Sequence, residues 1–209
     1  MEIKRICQSQ WNDVKNIYME AFPKSERKPL FFLKRAVQKE KSEIWVASQS
    51  DVVAGFIVLI PYHDMVLVEY LAVSNQIRSK GTGSKILGEI CRQYDDKRIL
   101  LLIEKIDETA NNLEQRIARK RFYLKNGFES SGVLMQGVSG DMEILCAWNQ
   151  GAPPPGSDVR EEASLLPLKN WRNWKHMRCS GRMLFFMMCW GMWSAEDLPC
   201  PYGAGMRTM

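Results

Sequence analysis

What the chain has little of narrows its chemistry. It holds two histidines, His63 and His176, and six cysteines, at positions 7, 91, 146, 179, 189 and 200, no two of them in a Cys-x-x-Cys pair. Zinc-finger spacing is therefore absent, and no metal is expected. A disulfide framework is not expected in a chain this long and this evenly mixed. Excess charge of one sign is also missing: 29 basic and 24 acidic residues are interspersed and leave a net +5. A nucleic-acid partner would call for a strongly basic, clustered face, so none is expected. Long apolar runs are lacking too. The longest, Met183–Trp193, is broken at Gly191 and falls short of the ~20 residues of a membrane span. The first residues, Met1–Ile6, contain no apolar stretch of the secretory kind, so the expected compartment is cytoplasmic. An apolar fraction of 45% with 25% charged residues excludes collagen, coiled coil and wholesale disorder.

The composition is uneven along the chain. Residues 151–209 carry seven of the twelve Met and four of the seven Trp, and they open on Gly151-Ala152-Pro153-Pro154-Pro155-Gly156. Such a run continues neither a helix nor a central strand. The expectation is one domain over 1–150 and a low-order or loosely packed tail over 151–209 without a motif. That tail reads as a partner or membrane-surface segment, a fusion, or an out-of-frame extension, with no catalytic role.

Patterning within 1–150 predicts β-α-α-β-β-β-α-β-α-β-β. Glu2–Ile6 is a short strand. Ser9 is a cap candidate for a helix carrying Trp11, Val14, Ile17 and Tyr18 at helical spacing, and Pro29 suits the first position of a second helix. Glu43–Ser48, Val52–Ile60 and Met65–Val73 read as an antiparallel meander with turns at Gln49-Ser50-Asp51 and Tyr62-His63-Asp64. Gly81-Thr82-Gly83 opens a helix bearing Ile86, Leu87 and Ile90, and Arg98–Ile103 follows as a buried parallel strand. Thr109 or Asn111 could cap a further helix, with Gly127 as its terminator. Ser130–Met135 and Met142–Trp148 close a mixed α/β (α+β) sheet.

The informative segment is Val66–Ser84, a buried strand running through a basic loop into Gly-x-Gly at a helix start. Outward-pointing N–H groups there suit a phosphate, Arg78 and Lys80 add positive charge, and Gly81 and Gly83 allow close approach. A dinucleotide fingerprint is excluded because Ile86 stands where its third Gly belongs, and Lys80-Gly81-Thr82 is the wrong order for a P-loop.

Arg78-x-x-Gly81-x-Gly83 after a strand has the form (Gln/Arg)-x-x-Gly-x-(Gly/Ala). With Phe122-Tyr123-Leu124-Lys125-Asn126-Gly127-Phe128 downstream and the element order above, residues 2–148 resemble the GNAT N-acetyltransferase superfamily. The resemblance implies its fold, acetyl-CoA as cosubstrate, and direct transfer of acetyl to a primary amine of a small molecule or peptide. It implies that Arg78, Ser79, Lys80, Gly81, Thr82, Gly83 and Ser84 grip the pyrophosphate. Leu71, Ala72 and Val73 would offer main-chain groups to the pantetheine and the oxyanion, and Tyr123 would protonate the leaving thiolate. Many members carry Asn where this chain has Arg116, and Asn111 or Asn112 could take over that contact. The fold also admits a homodimer.

The base has two candidates: first Glu69, on the strand before the loop, and second Glu104, at the end of the next strand. Each has a plainer alternative: Glu69 as a strand-face residue paired with a Lys, Glu104 as a solvated strand end. Tyr123 could simply pack its ring, and Arg116–Arg121 could be a solvated helix face or a site for the 3′-phosphate or an acidic substrate. His63 reads as an exposed turn residue, Cys91 and Cys146 as core. From a different class, the chain could be a coenzyme A-binding or peptide-binding module that keeps the fold without turnover.

Overall fold

The computed structural model describes residues 1–24, 26–77, 81–137 and 140–147. The elements run β1 (Glu2–Arg5), α1 (Trp11–Ala21), α2 (Leu30–Gln38), β2 (Glu43–Gln49), β3 (Val52–Tyr62), β4 (Met65–Val73), α3 (Thr82–Gln93), β5 (Arg98–Glu104), α4 (Leu113–Lys125), β6 (Phe128–Gly137) and β7 (Gly140–Ala147). They follow the order read from the sequence. The Pro/Gly run, the tail over 151–209 and Trp148 lie outside the described residues.

The strands form one seven-stranded sheet in the order β1-β2-β3-β4-β5-β7-β6. β4 and β5 are its parallel pair and every other neighbour is antiparallel. β7 inserts between β5 and β6. The β2–β3 connection is a two-residue turn in which Ser50 and Asp51 both take positive φ, the handedness that suits twisted strands. The β3–β4 turn is pinned by Arg98, which pairs with Asp64 through its guanidinium and with the Asp64 carbonyl through its N–H at 3.0 Å.

Each face of the sheet carries its own core. On one side Ile86, Leu87 and Ile90 of α3 pack on Ile57, Val66, Val68, Ile99 and Leu101. On the other, Trp11, Val14, Ile17 and Tyr18 of α1 and Leu33 of α2 pack on Ile44, Phe56, Val58 and Tyr70. The 3.6-residue spacing of apolar positions in α1 and α3 dictates these seats. Three boundary expectations need correction. Ser9 lies in a 3-10 turn over Gln8–Gln10, and Gln10 precedes α1. Pro29 stands one residue before α2, in extended conformation. Neither Thr109 nor Asn111 caps α4: Thr109 is tied to Asp107 in a local turn, and Asn112 is the residue before the helix.

Candidate functional site

The strand register shows where the sheet opens. β4 pairs with β5 only through Met65–Val68 against Arg98–Leu101. Beyond that, Tyr70–Val73 pair with Val58–Gly55 of β3, while Leu102–Glu104 pair with Ile144–Met142 of β7. The two parallel strands thus part. The cause is a β-bulge: Val58 opposes Tyr70 and Leu59 opposes Val68, so Glu69 is the extra residue. The extra residue also switches faces. Val66 and Val68 lie in the α3-side core, whereas Tyr70 and Ala72 lie in the α1-side core. Leu71 and Val73 turn back toward α3. Past the bulge, the β4 edge that faced β5 has no strand partner among the described residues.

Glu69 sits with a compact polar group on the α1 side. Its Oε1 is ion-paired with the Lys28 ammonium, and the two side chains are only 9% and 11% exposed. Its Oε2 is buried and has no hydrogen-bond partner among the described residues. The chain between α1 and α2 is clamped over this point. Tyr18 Oη accepts from the Lys28 N–H at 2.8 Å and donates to its carbonyl at 3.3 Å. Tyr70 Oη donates to the Glu26 carbonyl at 2.9 Å. The rings of Tyr18 and Tyr70 meet edge to face at 5.1 Å. Burial pushes the Tyr70 hydroxyl far above its usual range, with the Glu69 charge adding to the effect, so it remains a donor. Burial likewise raises Tyr18. Lys28 and Tyr70 carry no motif of their own, and Tyr18 reads from the sequence only as a core position of the first helix. The Lys/Arg-rich stretch ending at Pro29 was the one local sign.

The anion loop expected from the sequence is described on its helix side. Gly81 takes φ 74° before the first turn of α3, a left-handed conformation that favours glycine. The Lys85 N–H closes the first helical bond, to the Gly81 carbonyl at 3.0 Å. The N–H groups of Thr82, Gly83 and Ser84 are therefore free of helical partners and carry the positive end of the dipole. Arg78, Ser79 and Lys80 lie outside the described residues. Gly83 has a second role: a Cβ there would stand 3.1 Å from Phe122 Cζ, so its absence lets α4 approach the first turn of α3.

That approach seats Tyr123. Its ring packs edge-on between Phe122 and Phe128, at 5.2 and 5.7 Å. Its hydroxyl has no hydrogen-bond partner among the described residues. Burial raises its pKa, opposed by the Arg119 charge, so the group stays protonated at neutral pH. Glu104 is not a solvated strand end. Its carboxylate, 14% exposed, accepts from Arg116 Nη2 at 3.0 Å, Arg119 Nη1 at 3.3 Å and Asn112 Nδ2 at 3.2 Å. Asn112 in turn accepts from Arg116 Nε at 2.7 Å. His63 is exposed, Cys146 is buried and Cys91 partly so. No described helix is long and apolar enough to cross a membrane.

Residues 40–130, from the approach to β2 through β6, match the family model described as an acetyltransferase (GNAT) domain. Over 110 residues the chain is 29% identical to YjbC of Bacillus subtilis (strain 168), named as an acetyltransferase; the alignment takes in 53% of each protein. The chain thus spans about half the length of the curated relative it matches. A GNAT-family protein from Bacteroides thetaiotaomicron superposes with a TM-score of 0.65 at 18% identity, covering 80% of this chain and 97% of that one. An aminoglycoside 6′-N-acetyltransferase complexed with coenzyme A gives a TM-score of 0.57 at 13% identity, covering 70% and 96%. At these identities the structural likeness speaks to the fold. Residues 40–130 thus match the GNAT acetyltransferase domain model, and the mixed, parted sheet from β1 to β7 has the fold of the solved GNAT structures.

Proposed function

We propose that this domain transfers an acetyl group from acetyl-CoA to a primary amine by direct attack. The observation that carries the proposal is the opening between β4 and β5, with a buried carboxylate at its apex and a helix N-terminus beside it. Acetyl-CoA would supply the activated acyl group as a thioester. The N–H groups opening α3, with Arg78, Ser79 and Lys80, bind its pyrophosphate. The main chain of Leu71, Ala72 and Val73 lines the pantetheine arm, and N–H groups of this segment face the developing oxyanion. Glu69 takes the proton of the acceptor ammonium, and Tyr123 returns one to the thiolate. Glu104 and Asn112 are bound to each other and to α4, so their proposed part is to fix the start of that helix. The acceptor class proposed is a small-molecule or peptide amine.

The test is thiol release from acetyl-CoA across a panel of amines, alongside calorimetric binding of coenzyme A. Amine-dependent release supports the enzyme. The Lys28–Glu69 pair favours one other reading, a coenzyme A-binding module whose base is permanently capped. Binding without release from any amine would select that reading.

A further inference from the structure

We propose that Lys28 is itself an acceptor, its ε-amine taking an acetyl group from acetyl-CoA bound to the same domain. The inference rests on the acetyl-transfer reading above. Three features of the Lys28 environment support it.

The first is chemical. An acceptor must bring an amine to a carboxylate that can deprotonate it, at the edge of the thioester site. Lys28 Nζ already rests on Glu69 Oε1, and Glu69 is the bulge residue at which β4 and β5 part. The second is positional. Both main-chain groups of Lys28 are held by Tyr18 Oη, and Tyr70 Oη holds the Glu26 carbonyl two residues earlier. The amine is therefore presented from a fixed backbone rather than from a free loop. An amine held in this way reacts as an intramolecular nucleophile, with a large advantage over any lysine that must collide from solution. The third is the unused oxygen. Burying an ion pair this deeply is costly unless every lone pair is satisfied, yet Glu69 Oε2 has no hydrogen-bond partner among the described residues. A purely structural salt bridge gains nothing from a buried oxygen without a protein donor, whereas a carboxylate that must accept a proton uses it.

The step balances. The Lys28 ammonium gives one proton to Glu69, which passes it to solvent. Nζ bonds to the acetyl carbonyl carbon, and the carbon–sulfur bond breaks as the tetrahedral centre collapses. The second proton leaves Nζ, and the thiolate departs as thiol with the proton of Tyr123, which is replaced. The products are acetyl-Lys28, free coenzyme A and one proton.

The experiment incubates the full chain with acetyl-CoA and no added amine, then follows intact mass and mapped peptides over time. One acetyl group per chain is expected at Lys28, at a rate independent of protein concentration and ahead of the exposed Lys4 and Lys15. E69Q should slow Lys28 labelling about a hundredfold or more, bringing it down to the rate of Lys4 and Lys15 in the same sample. The inference is overturned if Lys28 stays unlabelled, is labelled no faster than Lys4 and Lys15, or is labelled at the same rate in E69Q. The wild-type time course decides the matter even where E69Q does not fold. The amine panel, run on the same protein, separates the two proposals. Acetylation of an added amine with Lys28 unlabelled removes the inference and leaves the proposed reaction standing. Acetylation of neither removes both.

Discussion

Gly55 sits in the middle of β3, where a residue with a side chain would ordinarily be favoured. A Cβ at this position would lie 2.6 Å from the Ala72 carbonyl oxygen, 3.2 Å from Val73 Cα and 3.3 Å from Ile86 Cδ1. The nearest contact is nearly an ångström inside ordinary van der Waals range, and it is with backbone. Ile86 can rotate, but the Ala72 carbonyl is fixed by the β3–β4 ladder, so Gly55→Ala must push β4 outward between its bulge and its end. Overpacking of this kind costs about 1–3 kcal/mol. Loss of freedom in the unfolded chain returns about 0.4–1 kcal/mol. The net expectation is a loss of about 1–2 kcal/mol, or about 2–8 °C in Tm for a domain of this size. Because the displaced stretch contains Ala72 and Val73, which the proposed function puts along the pantetheine arm, coenzyme A affinity should fall about five- to tenfold, equivalent to about 1–1.4 kcal/mol of misplaced contact. Thermal unfolding and calorimetric titration with coenzyme A read the two effects on one sample. An alanine variant with unchanged Tm and unchanged affinity would show that β4 yields freely there, and the close-approach reasoning would be lost.

Other perturbations separate stability from chemistry. Tyr123→Phe should lower amine-dependent thiol release by about 10²–10⁴ while leaving coenzyme A affinity intact; unchanged turnover would remove Tyr123 from the acid role. Gly83→Ala presses on the Phe122 ring, which can give by a few tenths of an ångström, so Tm should move by less than about 3 °C while turnover drops as Tyr123 shifts. Glu143 is buried, which alone would raise its carboxyl, but hydrogen bonds from Lys120 and Ser130 outweigh burial and lower it. Its contribution to stability is therefore complete above the unfolded carboxylate value near 4.3 and fades as pH falls through the lower folded value. Glu143→Gln should cost about 1–3 kcal/mol at pH 7 in urea unfolding and flatten the acid limb of the stability–pH curve.

The order of elements was legible because patterning is local. Ile86, Leu87 and Ile90 repeat at helical spacing, and β3 and β4 are almost wholly apolar because both of their faces are covered. The caps were less so, since Ser9 and Thr109 each found a partner nearer than a helix end: Cys7 Sγ at 3.1 Å for Ser9, Asp107 for Thr109. Neither the placement of β7 between β5 and β6 nor the bulge at Glu69 has a local mark. No Gly or Pro stands at the bulge, and strand register depends on partners far away in sequence. Lys28 was hidden for the same reason. It is one of three basic residues between α1 and α2, and only the turn of the chain back over β4, 41 residues away in sequence, distinguishes it.

The two carboxylates that the sequence puts forward as first and second candidate base are distinguished by what holds them. Glu104 is turned toward α4, where two guanidinium groups and an amide meet its oxygens. Arginine keeps its charge at any accessible pH and holds a carboxylate in a fixed fork, so this arrangement serves as an anchor between β5 and α4. Among the described residues Glu69 has one partner, a lysine on a connecting segment, and its buried Oε2 has none. An ammonium can lose a proton or rotate away, which a paired guanidinium does not. The two glutamines should therefore give crossed results. Glu104→Gln should cost about 1–3 kcal/mol of stability, read by urea unfolding, with turnover of the folded protein changed less than about threefold, because the start of α4 loosens without touching the reacting atoms. Glu69→Gln should reduce turnover by about 10²–10⁴ with coenzyme A affinity retained, because the amide keeps the shape of the bulge and loses only the proton acceptor. If Glu104→Gln abolishes turnover in a protein of unchanged Tm, the base is Glu104, and the α4 arginines must swing aside to expose it when substrate binds.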